Sequence, residues 1–187
     1  MAIVTIWEII DIIIVTLVLG YIFMSQFRRP RTALDVLDSH RFNFEDFKFA
    51  VLVTAPGIIF HEMAHKFVAL SFGIAATFKA WYFGLGIGVF LSIINSPFIL
   101  LAPGYVEIAG GTYLQQAASA FAGPFTNLVL FLVAKYMIER KKRFTRTQAL
   151  GWHMTKQINI FLFFFNMIPI PPFDGSKVFY AIFKLFF

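Results

Sequence analysis

The run Ile3 to Met24 is long enough to cross a hydrocarbon core of about 30 Å, and further apolar segments follow it along the chain. Inside lipid no water meets the backbone, so crossing segments must be helices or strands of a closed barrel. Unbroken apolar runs, without alternation, select helices. Composition agrees. Of 187 residues 59% are hydrophobic and only 14% charged, against about a quarter charged in soluble domains. The 26 Phe residues gather in runs such as Phe161 to Phe165.

Three crossings are expected at Ile3–Met24, Phe49–Phe72 and Tyr113–Ile138, and a fourth from Gln157, broken at Pro169 to Pro172. The basic residues fall between them. Segment 25–48 carries five Lys or Arg and segment 139–156 carries six, which makes both cytoplasmic and puts the N-terminus outside. Nucleic-acid binding would need one continuous basic face, and the net charge of +6 is not arranged as one. In the first connector, Ala33, Leu34, Val36 and Leu37 suggest an interfacial helix.

Two basic loops on one side require an even number of crossings between them, and helices two and three already supply it. The intervening 75–112 should therefore not cross. Gly84, Gly86 and Gly88 weaken a helix, while Asn95-Ser96-Pro97 and Pro103-Gly104 are turn signals. The expectation is a re-entrant, strand-rich β-hairpin. The chain divides into residues 1–48, the first helix and its connector, and a core at 49–187.

The second crossing holds Phe60-His61-Glu62-Met63-Ala64-His65. At i and i+4 on a helix, His61 and His65 share a face and can bind one metal ion, with Glu62 beside them as a general base. Ionisable groups within an apolar crossing are functional candidates by default. Hydrogen-bonding glue between helices is the plainer reading, and three titratable groups in five residues exceed what glue needs. With no cysteine in the chain, the metal ligands must be His, Asp or Glu, and this donor set favours Zn2+.

Two imidazoles leave zinc one protein ligand short. Glu8, Asp11, Glu107 and Asp174 are the carboxylates in or near apolar segments. Asp174 follows the prolines of Asn166-Met167-Ile168-Pro169-Ile170-Pro171-Pro172-Phe173, and a carboxylate at such a break is well placed to reach a metal near the middle of the crossing. Asn127, in Gly123-Pro124-Phe125-Thr126-Asn127, and Asn166 are candidates for holding a substrate carbonyl or oxyanion. Lys66 and Lys79 are expected to snorkel or to line a cavity. His40 and His153 lie in polar connectors, outside the site.

In order, His61-Glu62-x-x-His65, Gly123-Pro124-x-x-Asn127, and Asn166-x-x-Pro169 with Asp174-Gly175 resemble the site-2 protease family of intramembrane zinc metalloproteases. The likeness spans about Pro56 to Gly175. It implies zinc on His61, His65 and Asp174, Glu62 as the base, and hydrolysis of peptide bonds within or near transmembrane segments of substrate proteins. The setting would be the cell membrane of a prokaryote. The alternatives are an intramembrane metal or ion transporter, and an inactive relative that binds membrane segments without cutting them.

Overall fold

Three of the helices start where a short polar side chain supplies partners for the first free backbone N–H groups. Thr5 and Glu8 form a reciprocal capping box ahead of α1 (Ile6–Met24). The Asn43 side chain accepts from the N–H groups of Glu45 and Asp46, both at 3.0 Å, ahead of α2 (Phe44–Ser71). Thr145 and Gln148 repeat the capping box before α5 (Arg146–Asn166). Between α2 and α5 lie β1 (Ala75–Ala80), α3 (Tyr82–Ile93), β2 (Gly104–Ala109) and α4 (Tyr113–Arg140), and α6 (Asp174–Phe186) closes the order. The structure is a computed structural model that describes residues 3–27, 42–96, 103–140 and 143–186. The expected interfacial helix around Ala33 to Leu37, and His40, lie outside the described residues.

Among the described residues, α1, α2 and α4 are long and apolar enough to cross a membrane. Their packing departs from that of a water-soluble bundle. Small residues such as Ala50, Ala55, Ala69, Ala120 and Ala134 are buried beside Leu19 and Ile22, while Trp7 and Leu52 are more than 70% exposed. Lipid gives no penalty for aromatic surface, so small residues that let helices approach take the inside.

Several expectations change. The caps set α2 five residues and α5 eleven residues before the apolar runs that hydropathy picked out. The stretch expected to make a fourth crossing from Gln157 consists of the second half of α5, a break at 167–173, and α6. The first half of α5 is polar, and α5 is not among the helices apolar enough to cross.

The expected hairpin is half right. β1 and β2 pair antiparallel, from Ala75 opposite Ala109 to Ala80 opposite Gly104. Gly104 belongs there because a Cβ would lie 2.8 Å from the Phe78 ring and 2.9 Å from the Lys79 carbonyl. The glycine-rich stretch between the strands is helical, however. Three glycines cost about 1 kcal/mol each in a helix, but a helix satisfies its own backbone where solvent cannot. Gly84 and Gly88, one turn apart, are both buried, and Leu85 packs with Val15 and Leu19 of α1.

Helix α1 also carries two carboxylates that receive the sheet. Glu8 accepts from the Phe78 N–H at 2.8 Å and Asp11 from the Ala80 N–H at 2.9 Å, closing the β1 edge. Lys66 of α2 makes a buried ion pair with Glu8, both at or below 2% exposure. Lys66 therefore does not snorkel. It joins α1, α2 and β1 through one carboxylate. Lys79 instead pairs with Glu107 at 2.5 Å on the exposed face of the sheet, where such a pair contributes little.

Replacing Glu8 by Ala leaves the Lys66 ammonium buried without a counter-charge and should cost about 3–5 kcal/mol. Denaturant unfolding in detergent micelles reads this directly, and Glu8→Ala with Lys66→Met should recover most of the loss. Equal stability of Glu8→Ala and the parent would remove the pair from its joining role.

Candidate metal centre

His61 and His65 sit one turn apart in α2, with their rings edge to face and centroids 4.6 Å apart. The two Nε2 atoms are 3.0 Å from each other. Each is also 3.2 Å from Oδ2 of Asp174, which arrives from the start of α6. Among the described residues these three side chains form a group able to hold a metal ion.

The outer partners of the imidazoles decide what meets at the centre. His65 Nδ1 lies 2.7 Å from the Ser119 carbonyl, which can only accept, so Nδ1 carries the proton. His61 Nδ1 lies 2.6 Å from Asn127 Oδ1, and the Asn127 Nδ2 donates to the Gly57 carbonyl and Asn159 Oδ1, both at 2.9 Å. With both amide hydrogens spent, Oδ1 accepts from His61. Neutral imidazoles so held turn both Nε2 lone pairs inward, toward each other and toward a carboxylate oxygen. Three acceptors within 3.2 Å repel one another until a cation joins them. Zinc bonds of about 2.0–2.1 Å in a tetrahedron need ligand atoms about 3.3 Å apart, close to the observed edges. The residues fit the metal.

Two glycines permit this approach. A Cβ on Gly123 of α4 would lie 2.4 Å from His65 Nε2 and 2.7 Å from His61 Nε2, in the space of the ligand atoms themselves. One on Gly175 would lie 2.4 Å from the Met167 carbonyl oxygen, pushing the start of α6, and Asp174 with it, away from the break at 167–173. Gly123, which opens the Gly123-Pro124-x-x-Asn127 motif, and Gly175, which follows Asp174, are thus steric requirements of the site.

Of the four carboxylates weighed from sequence, only Asp174 reaches the histidines. Glu8 is taken by Lys66 and β1, Asp11 by Ala80 and the Tyr82 hydroxyl, and Glu107 by Lys79. His153 is exposed on α5, as expected for a residue outside the site.

Asn127 is not free to hold an oxyanion. It is fully buried, and its oxygen and both amide hydrogens are committed to His61, Gly57 and Asn159. Its place is behind His61. Asn166, half-buried at the end of α5, donates to the Leu162 carbonyl and, among the described residues, bonds no member of the triad. Asn159 and Ser119 went unnoticed in the sequence. Asn159, an amide entering the run Ile160 to Phe165, carries the same signal that singled out Asn127. Ser119 acts through its backbone, which no side-chain pattern reveals.

Glu62 follows His61 directly and is half-buried, within electrostatic reach of His61, Asp174 and Lys177. Lys177 stands one turn after Asp174 on α6. A carboxylate this close to the group, itself outside the set of ligand atoms, can exchange protons with whatever the metal binds.

Gly123→Ala should push the imidazoles off their shared target and weaken zinc binding by on the order of 10–100-fold. Metal titration of purified protein in detergent measures it. An affinity equal to that of the parent would refute the crowding at position 123.

Comparison with known proteins gives two related sequences. The chain is 34% identical over 176 residues to the protein named "Putative zinc metalloprotease MJ0611" of Methanocaldococcus jannaschii, covering 91% of this chain and 82% of that one. It is 26% identical over 146 residues to "Putative zinc metalloprotease YwhC" of Bacillus subtilis, covering 70% and 67% respectively. No family model matches the chain, and no solved structure matches it significantly.

Proposed function

Since the chain belongs to the zinc metalloprotease family of these relatives, we propose that it is a site-2-protease-like enzyme that hydrolyses peptide bonds within or next to membrane-spanning segments of other proteins. One observation carries the reading: three acceptor atoms at 3.0–3.2 Å, with Glu62 beside them, among helices apolar enough to lie in lipid.

In this reading His61, His65 and Asp174 hold zinc, which when bound supplies Lewis acidity toward water and the scissile carbonyl. Glu62 takes a proton from the attacking water and passes it to the leaving amine. Asn127 and the Ser119 carbonyl keep both imidazoles turned toward the centre. The substrate segment must be extended where it is cut, because a helix hides its carbonyls in internal hydrogen bonds. Asn166, which has one amide hydrogen beyond its bond to Leu162, is the remaining candidate to meet that segment. The apolar half of α5, the break and α6 then make a fourth crossing, and β1, α3 and β2 form a re-entrant unit beside α1. The setting is a prokaryotic cell membrane with the N-terminus outside.

Purified protein reconstituted with a fluorescent transmembrane substrate tests this. The parent should cleave, lose cleavage on treatment with a chelator, and regain it with added zinc. Glu62→Gln should retain zinc and lose cleavage by at least about a hundredfold. Cleavage by Glu62→Gln at the parental rate would sink the base assignment, and metal flux without cleavage would sink the protease.

A further inference from the structure

Beyond the ligands themselves, we propose that Asn159, acting with the Gly57 carbonyl, sets the tautomer of His61 by holding the Asn127 amide in one of its two orientations. The inference rests on the reading that His61 binds zinc through Nε2. Its own basis is the direction of a hydrogen-bond chain that crosses three helices.

The chain starts from a group whose role cannot reverse. The Thr155 carbonyl on α5 is an acceptor, and Asn159 Nδ2 donates to it at 2.8 Å. That bond leaves Asn159 Oδ1 to accept from Asn127 Nδ2 of α4 at 2.9 Å. Asn127 Oδ1 is left in turn to accept from His61 Nδ1 of α2 at 2.6 Å. Both amides are fully buried, so water cannot substitute for a missing partner.

A half-turn of the Asn127 amide would offer an N–H to His61 Nδ1. The imidazole proton would then have to sit on Nε2, on the lone pair the metal needs. Two acceptors oppose that turn, Asn159 Oδ1 and the Gly57 carbonyl, because a flipped Oδ1 would face both. The absence of a side chain at residue 57 eases this approach: a Cβ there would lie 3.0 Å from Asn159 Oδ1, tighter than ordinary contact. Asn159 is a positioning residue, acting on the metal ligand through a second amide.

The test uses the full chain in detergent, 15N-labelled at histidine, at a pH where the imidazoles are neutral. Without metal, the parent should show His61 protonated at Nδ1. Asn159→Leu should shift His61 toward the Nε2-protonated form and weaken zinc binding about tenfold. Asn159→Asp should restore both, since its carboxyl oxygen still accepts from Asn127 while its O–H, when protonated, donates to Thr155. Should Asn159→Leu not fold, Asn159→Thr replaces it, because a hydroxyl that both donates and accepts imposes no direction; the same shift is expected. An unchanged His61 tautomer in the folded variant overturns the inference, as does equal loss of zinc affinity in the Leu and Asp variants, which would mean packing alone. A parent that takes up no zinc overturns the proposed function, and the tautomer comparison on metal-free protein still decides this one.

Discussion

A polar group taken out of water without a partner costs several kcal/mol, and in lipid nearby water cannot relieve it. The interior of this protein is organised by that constraint. Glu8, Lys66, Asn127 and Asn159 are among its largest fully buried side chains, and each is bonded to an element other than its own helix. No buried side-chain nitrogen or oxygen among the described residues lacks a partner. The polar bonds therefore specify which helix lies against which, a task that large apolar side chains perform in soluble cores.

Two polar clusters divide the work. Glu8 and Asp11 join α1 to β1 and, through Lys66, to α2; the residue before Lys66 in sequence is His65. On the other side of α2 the Ser119 carbonyl and the Asn127–Asn159 pair hold the imidazoles from α4 and α5. Helix α2, which carries both imidazoles, is thus held by polar bonds from α1 and β1 as well as from α4 and α5. Small residues make that possible. Gly57 admits Asn159, Gly123 admits both imidazoles, and Gly175 brings Asp174 up from the break before α6. The family relation to named zinc metalloproteases agrees with a donor set of two imidazoles and a carboxylate.

Much of this was legible in the residues. The apolar runs located α1, α2 and α4 to within a few residues, because crossing lipid leaves a compositional mark as long as the helix. The i, i+4 histidines declared a shared face, because helical spacing is local. Helix α3 was missed because glycine propensity was weighed as it would be in water, and the early starts of α2 and α5 because caps lie outside the apolar run. Asn127 was noticed, but its partner was not, since an amide in an apolar helix signals a buried partner without naming it.

By itself, then, the sequence determined the helical class, the two imidazoles and the short set of carboxylates that could complete them. Tertiary structure decided that Asp174 completes them, that Glu8 and Asp11 serve the sheet, and that Asn127 stands behind His61. The reason is separation along the chain. Helical spacing and hydropathy are properties of neighbouring residues, whereas the contact of His61 with Asp174 joins positions 113 residues apart. Its geometry comes into being only when α2, α4 and α6 pack across their glycines.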